Sequence, residues 1–350
     1  MIPATPIPPN RSITTRAATA TVIGLVPVVL ACGASQTPSA ASADHAQPAT
    51  QSNSAPVQPN SSPARPGSSS TQPAAFQPPI RRPAPIEELI RVRCATDASD
   101  VYTIWTANIY AVVPGERQRL LFTGVGMNVA RCWEAQGRWF LSSRELMYYV
   151  DPKTGEVLHR WTNPWTGATV PVIHVANSPV QSPLRGPVPA AIGHGRMTII
   201  LDIPLFYPNR LSSEERFSPY SPHPNYQAGE FFALSSPVAE VENPQLASAP
   251  DMTFTWHRHG PWLPWMKMGD RPGSLIYSAH GSKVPGYEWV PQLIRDDIDS
   301  RLGLYRKAPR CMLDTRNETS WTYFARHIDA YMAGERFPLP APQVEERCRK

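Results

Sequence analysis

No run rich in lysine or arginine marks this chain beyond the pair Arg81–Arg82, although 33 basic side chains stand against 28 acidic ones. A nucleic-acid partner would need a basic stripe or patch, so that class is set aside. Standard catalytic signatures are missing as well. There is no G-x-S-x-G elbow, no H-E-x-x-H helix, no phosphate-cradling loop and no dinucleotide fingerprint. No apolar run is long enough to make a good membrane span. The candidate stretch, ATATVIGLVPVVLAC from Ala18 to Cys32, is short and broken by Pro27. Tryptophan is absent from the first 83 residues, and all ten indoles lie beyond them. Cysteine is sparse, at five in 350 residues.

What is present divides the chain into three zones. Residues 1–32 carry a basic start, with Arg11 and Arg16, then an apolar middle, then VLAC. This is the layout of an export signal. Small Ala31 before Cys32 is similar to bacterial lipoprotein signals, in which the cysteine thiol is acylated and the chain is cut before it. The ordinary alternative is a cleaved signal that happens to contain a cysteine. Cys32 is therefore expected to be lipidated, and the bilayer to be a partner. Gly33, rather than an aspartate, follows the cysteine, which points to the outer membrane over the inner. Residues 33–83 are dominated by Ser, Pro, Gln and Ala, with Phe76 as their one aromatic. Such a segment buries too little apolar area to offset its chain entropy and reads as a disordered, semi-stiff tether. Residues 84–350 read as one β-rich globular domain.

An exported domain meets oxidising conditions. With Cys32 spent on lipid, Cys94, Cys132, Cys311 and Cys348 remain, and three pairings are open. Cys94 with Cys132 would bridge the start of the sheet, and Cys311 with Cys348 would pin the tail.

From Val101 the pattern is one of strands and turns. VYTIWTANIYAVV, RLLFTGVGMNVARCWEA and RWFLSSRELMYYV are β-branched and aromatic, with turns at PGER, near Gln136–Gly137 and at DPKTG. EVLHRWTN, PWTG and ATVPVIHVAN follow. Further strands are expected at Arg196–Leu205, Glu230–Leu234, Met252–Arg258 and Ser274–Ala279, with long loops through 204–250. The fold class is mainly β: an antiparallel meander forming a barrel or strongly curved sheet, with lipocalin-like architecture among its forms. Two helices close the chain. PQLIRDDIDSRLG repeats Ile294, Ile298 and Leu302. NETSWTYFARHIDAYMAG has Asn317 as its cap, Gly334 as its stop, and Trp321, Phe324, Ile328 and Tyr331 as its buried stripe.

Chemistry-bearing residues are few. His257 and His259 share a strand face, which would make half of a metal site, but a solvated strand end is the preferred reading and no metal is expected. His174 lies in an apolar strand, and a buried, satisfied histidine is preferred there over a ligand-facing one. Glu145, Asp151 and Asp202 are the candidate acids.

The phrases YYVDPKTGEVLHRWTNPWTGATVPVIHVANSPV, YPNRL, WLPWMKMGDRPGSLIYSAHG and NETSWTYF resemble the signature runs of a bacterial family, domain of unknown function 1838. The likeness covers most of residues 90–325. It implies a shared fold, and members that are often exported, but no activity. Family strings usually read NDPV where this chain has Asn177, Ser178, Pro179 and Val180, so an acid at Ser178 is not available here.

WHRHGPWLPWMKMGDRPG, from Trp256 to Gly273, remains to be placed. Pro261 and Pro264 exclude a regular helix. A polyproline-like path would set Trp262, Trp265 and Met268 on one edge and Lys267 on another. Such an edge either plugs a barrel end, the preferred reading, or walls a pocket. Trp161, Asn163, His174, Arg258, Trp262 and Trp265 are the candidate ligand contacts. The expected function is a tethered module that binds a small amphipathic or hydrophobic ligand in a Trp-lined pocket, with no cofactor. The alternatives are an envelope enzyme using His174 with Asp151 or Glu145, and a structural envelope protein without ligand.

Overall fold

The structure, a computed structural model, describes residues 78–340 and 346–349. Residues 1–32, with Cys32, and most of the expected tether lie outside them. The last tether residues do not: Ile80 to Pro83 fall in strand β1 (Ile80–Ala84), and helix α1 (Ile86–Arg93) follows. Antiparallel strands β2 (Val101–Val112), β3 (Arg119–Ala135) and β4 (Arg138–Val150) make the expected meander. A small separate hairpin, β5 (Arg160–Thr162) and β6 (Thr169–Pro171), interrupts it before β7 (Val175–Leu184) pairs with β4. The second half adds β8 (Val188–Gly193), β9 (Arg196–Pro208), β10 (Asn225–Pro237), helix α2 (Val238–Val241), β11 (Thr253–Gly260) and β12 (Ser274–Val284). Helices α3 (Gln292–Ser300), α4 (Ser320–Arg326) and α5 (Ile328–Met332) end the domain.

Ten strands form one antiparallel sheet in the order β1-β8-β9-β10-β11-β12-β2-β3-β4-β7. It curls into a half-barrel and does not close, since no pairing joins β1 to β7 among the described residues. The curl is nevertheless tight. Only residues 185–187 separate β7 from β8, a span of at most roughly 14 Å, so strands from opposite ends of the sheet meet at one rim. Turn chemistry sets the meander's register. Gln136 and Gly137 both have positive φ, at 54° and 69°, which suits the right-handed twist of the β3–β4 hairpin.

The free edge of β7 is covered from the side. Asn317 accepts from the Gln181 backbone N–H at 3.0 Å and donates to its carbonyl at 2.9 Å, as a strand partner would. The Gln181 side chain bonds the carbonyls of Leu313 and Thr315 and accepts from the Leu313 N–H. An exposed strand edge invites pairing with another chain, and this strap occupies it. The two disulfides, Cys94–Cys132 and Cys311–Cys348, both form, and the second anchors the strap.

Four details depart from the sequence reading. Strand β10 runs through Asn225–Pro237, inside the region expected to be mainly loop, because the prolines there lie at its ends and leave its ladder intact. Asn317 is occupied with β7, so Thr319 caps α4, in a reciprocal pair with Thr322. The final helix breaks at His327, whose N–H is shared between the Tyr323 and Phe324 carbonyls; Trp321, Phe324, Ile328 and Tyr331 are all buried on the two halves. Finally, the WHRHGPWLPWMKMGDRPG segment is not polyproline-like throughout. It finishes β11 at Gly260, then makes a 3-10 turn at Pro264–Met266, with Lys267 left-handed at φ 54°. Trp262, Leu263, Trp265, Met266 and Met268 are all buried, so two edges of the segment are core.

Candidate functional site

The concave face of the sheet encloses a cavity of about 400 Å3. Strand alternation selects its lining. Thr103 and Trp105 come from β2, Glu145, Met147 and Tyr149 from β4, and Phe254, Trp256 and Arg258 from β11, each at every second position. Arg93, the last residue of α1, reaches in, and Trp321 of α4 lies against the cavity as well.

Most of the wall is aromatic. Trp105 meets Phe254 and Trp256 edge-on, at 6.3 and 6.5 Å between ring centroids. Trp256 stacks on Phe232 at 6.2 Å, and Trp321 packs against Tyr226 at 4.7 Å. The backbone makes room for the first indole: a Cβ at Gly126 would lie 2.2 Å from the Trp105 ring.

Into this wall are set two arginines and three glutamates, of which Glu318 pairs with Arg326. Arg258 is 7 % exposed. Its Nη2 donates to the Tyr226 hydroxyl at 2.7 Å, its Nε lies 3.5 Å from Glu230, directly opposite on β10, and its guanidinium sits over the Tyr277 ring at 5.1 Å. Burial opposes its charge, but Tyr226, Tyr277 and Glu230 outweigh burial and hold the guanidinium protonated. The Tyr149 and Tyr277 hydroxyls are 3.2 Å apart. Glu145 accepts from the Asn177 amide at 3.1 Å. Burial, then the Glu230 charge, push the Glu145 carboxyl up to about 7, against the pull of Asn177, Arg93 and Arg258. Arg93 donates to Asn128 at 2.8 Å, and burial brings it down to about 10, still charged at neutral pH.

Eleven buried side-chain polar atoms have no hydrogen-bond partner among the described residues, and five of them belong to residues lining this cavity. They are Arg93 Nη1, Trp105 Nε1, Trp256 Nε1, Arg258 Nη1 and Asn177 Oδ1. Four donate and one accepts. They lie within the wall and not on the cavity's surface: Trp105 Nε1 and Arg258 Nη1 pack against Gly126 and Gly260. The arrangement can hold an apolar body against indole and phenyl faces, with a few charged groups set in the same wall.

Of the six expected ligand contacts, Arg258 alone lines this cavity. The others form a closed core outside it. Trp265, at 1 % exposure, packs on Phe122, Tyr149 and Trp161 with centroids 5.6–5.9 Å away. Trp262 packs on Trp165 at 5.3 Å and donates to the Arg271 carbonyl at 3.0 Å. Asn163 ties the β5–β6 turn to this core by donating to the Met266 carbonyl at 3.1 Å. His174 is buried beside Tyr148, and its Nδ1 accepts the Tyr149 backbone N–H at 3.0 Å. Burial, then nearby His159, push its pKa down to about 3, so it stays neutral. It meets neither candidate acid: Asp151 accepts the turn N–H groups of Lys153 and Thr154, and Glu145 bonds Asn177 in the cavity. Asp202, His257 and His259 are exposed. Among the described residues no cluster of three or more His, Cys, Asp or Glu could hold a metal, and no helix is long and apolar enough to cross a membrane.

Sequence reasoning missed Arg93, Trp105, Asn177, Glu230, Trp256 and Trp321 as cavity residues, and it named Glu145 only as a partner for His174. A signal existed for some. Trp105 and Trp256 sit in expected strands with apolar residues two positions away, and Glu230 opens a strand of otherwise apolar character. Nothing local marks Arg93, because α1 was not expected. No curated protein matches the chain. Residues 98–328, which take in every strand from β2 to β12, match the model of the family described as Protein of unknown function (DUF1838), and the chain belongs to that family.

Proposed function

We propose that the half-barrel is a receptacle for one small amphipathic molecule, carried on an exported chain that Cys32 leashes to the bilayer. One observation supports this reading above the rest: a cavity of about 400 Å3 is walled largely by aromatic rings, with the buried charged groups of Arg93, Arg258, Glu145 and Glu230 set among them. Ligand pockets combine mostly apolar walls with a few placed polar groups, and this cavity has that mixture.

The test uses the full chain purified from a bacterial envelope. Native mass spectrometry should find a co-purifying small molecule at one per chain, or an apolar dye should be taken up at that ratio. Uptake should weaken in Trp256→Ala while the variant stays folded. A chain that carries no ligand and takes up no dye would leave the structural reading standing. A second reading is favoured by one feature. Glu145, with its carboxyl near neutrality inside the cavity, is placed to exchange a proton with whatever binds there, which moves any enzymatic role from His174 to Glu145. A chemical change in the co-purified molecule that stops in Glu145→Gln would support it.

A further inference from the structure

We propose that the Cys311–Cys348 disulfide is a redox latch on the cavity, opened when a dithiol protein of the envelope reduces it. This inference rests on the receptacle reading and adds its regulation. Three observations carry it.

The first is a contrast between the two disulfides. Cys94 and Cys132 are both 0 % exposed, so a protein thiol does not reach their bond in the folded chain. Cys348 is exposed and Cys311 is partly exposed, so the second bond is open to attack. Exposed disulfides are the labile and regulatory ones, whereas enclosed ones persist. The second is what the bond holds. Leu313 bridges Cys348 as an antiparallel partner, the Asp314 N–H donates to the Arg347 carbonyl at 2.9 Å, and the Arg349 N–H donates to the Met312 carbonyl at 2.7 Å. Residues 347–349 therefore lie along the outer edge of the strap, while Gln181 of β7 holds its inner edge. Glu346 pairs with buried Arg144 of β4 and ties the same stretch back to the sheet. The third is where the strap leads. It runs directly into the cavity wall, where Asn317, Glu318, Thr319, Ser320 and Trp321 follow one another in the lining.

The exchange balances with the dithiol as its one reagent. One thiolate of the incoming protein attacks the Cys348 sulfur, and Cys311 leaves as a thiolate that takes up a proton. The second thiol of that protein then attacks its own sulfur in the mixed disulfide, and Cys348 leaves in turn. Two electrons and two protons pass to the pair, which ends as two thiols, and the dithiol protein ends as a disulfide. Backbone bonds and the Glu346–Arg144 pair then hold the outer edge alone. The covalent constraint on a loop containing α4 and α5 is gone, so the strap opens locally more often and the cavity wall opens with it. Linkage makes the effect reciprocal: a molecule that is held by the closed wall slows the reduction.

The experiment loads the full chain with phenylnaphthylamine, a neutral apolar dye, and follows its transfer to empty vesicles with and without a reduced dithiol protein of the thioredoxin type. Alkylation mapped by mass spectrometry should find Cys311 and Cys348 free at a dose that leaves Cys94–Cys132 intact. Dye release should then rise several-fold. Amide exchange should quicken at Gln181 and in residues 313–321 but not in β2 and β3. Dye-loaded protein should be reduced more slowly than empty protein. Cys311→Ser combined with Cys348→Ser should release dye at the fast rate whether or not the dithiol is present. Should that variant fail to fold, the parent carries the test, because it is folded before it is reduced. Reduction of both disulfides together, an unchanged release rate, or exchange that quickens evenly over the sheet would overturn the latch and leave the receptacle standing. Failure of oxidised and reduced protein alike to take up dye would overturn both.

Discussion

Trp256 and Trp265 carry the same side chain nine positions apart and serve different ends. Trp256 lines the cavity, whereas Trp265 is enclosed by Phe122, Tyr149 and Trp161. Truncation should separate them. Trp265→Ala removes a fully enclosed indole and should cost about 3–5 kcal/mol in urea unfolding. Trp256→Ala opens onto space that already exists and should cost less while altering uptake. A Trp265→Ala protein as stable as the parent would remove the core assignment. Glu145 makes a second prediction at this scale. Its carboxyl rises from an ordinary 4.5 to about 7 on folding, so the folded state favours the neutral form. Stability from this group is therefore full below pH 4.5, erodes as pH rises, and is lower by on the order of 3 kcal/mol once pH has passed 7. Glu145→Gln, which cannot ionise, should stabilise the ligand-free protein at pH 8 far more than at pH 5. Equal effects at both pH values would contradict the burial of a titrating carboxyl there.

Among the elements, the strap over β7 is the one whose removal has a defined consequence. It runs from Leu313 to Glu318, bonds Gln181 on both faces of its peptide and through its amide, and is anchored by Cys311–Cys348. Replacing both of these cysteines with serine should cost about 2–4 kcal/mol and speed exchange of the Gln181 amide proton, read by hydrogen exchange. The same variant should self-associate more readily, because a bare edge is a template for pairing. An unchanged exchange rate would show that the hydrogen bonds hold the strap without the disulfide. How the elements could be read from sequence also varies. Strands β2 to β4 and β9 to β12 were legible because alternation and turn residues are local. Helix α1 was not, since it is eight residues long, carries four charges and has no side-chain cap. The Pro261–Pro264 spacing suggested an extended path, but Pro264 instead opens a tight turn whose buried neighbours outweigh local preference. Pairing between β1 and β8 has no local signature, because the partners are about a hundred residues apart.

At the scale of the whole molecule, the chain's tryptophan content pointed to an aromatic wall, but only the curl of the sheet decides which indoles make it. Trp105, Trp256 and Trp321 come from β2, β11 and α4, and no linear motif joins them. The proposed leash adds a reason for such a cavity to be membrane-bound. Amphipathic molecules partition into bilayers, so a receptacle held near the surface meets its ligand at a raised effective concentration. Cys32→Ser should therefore release the chain from membranes without changing its uptake of an apolar dye. The variant should, however, extract a vesicle-held amphipathic dye more slowly than anchored protein reconstituted in those vesicles. Carbonate-washed membranes that still retain Cys32→Ser would overturn the anchor. Equal extraction rates for free and anchored protein would mean that the leash positions the domain for some purpose other than ligand capture.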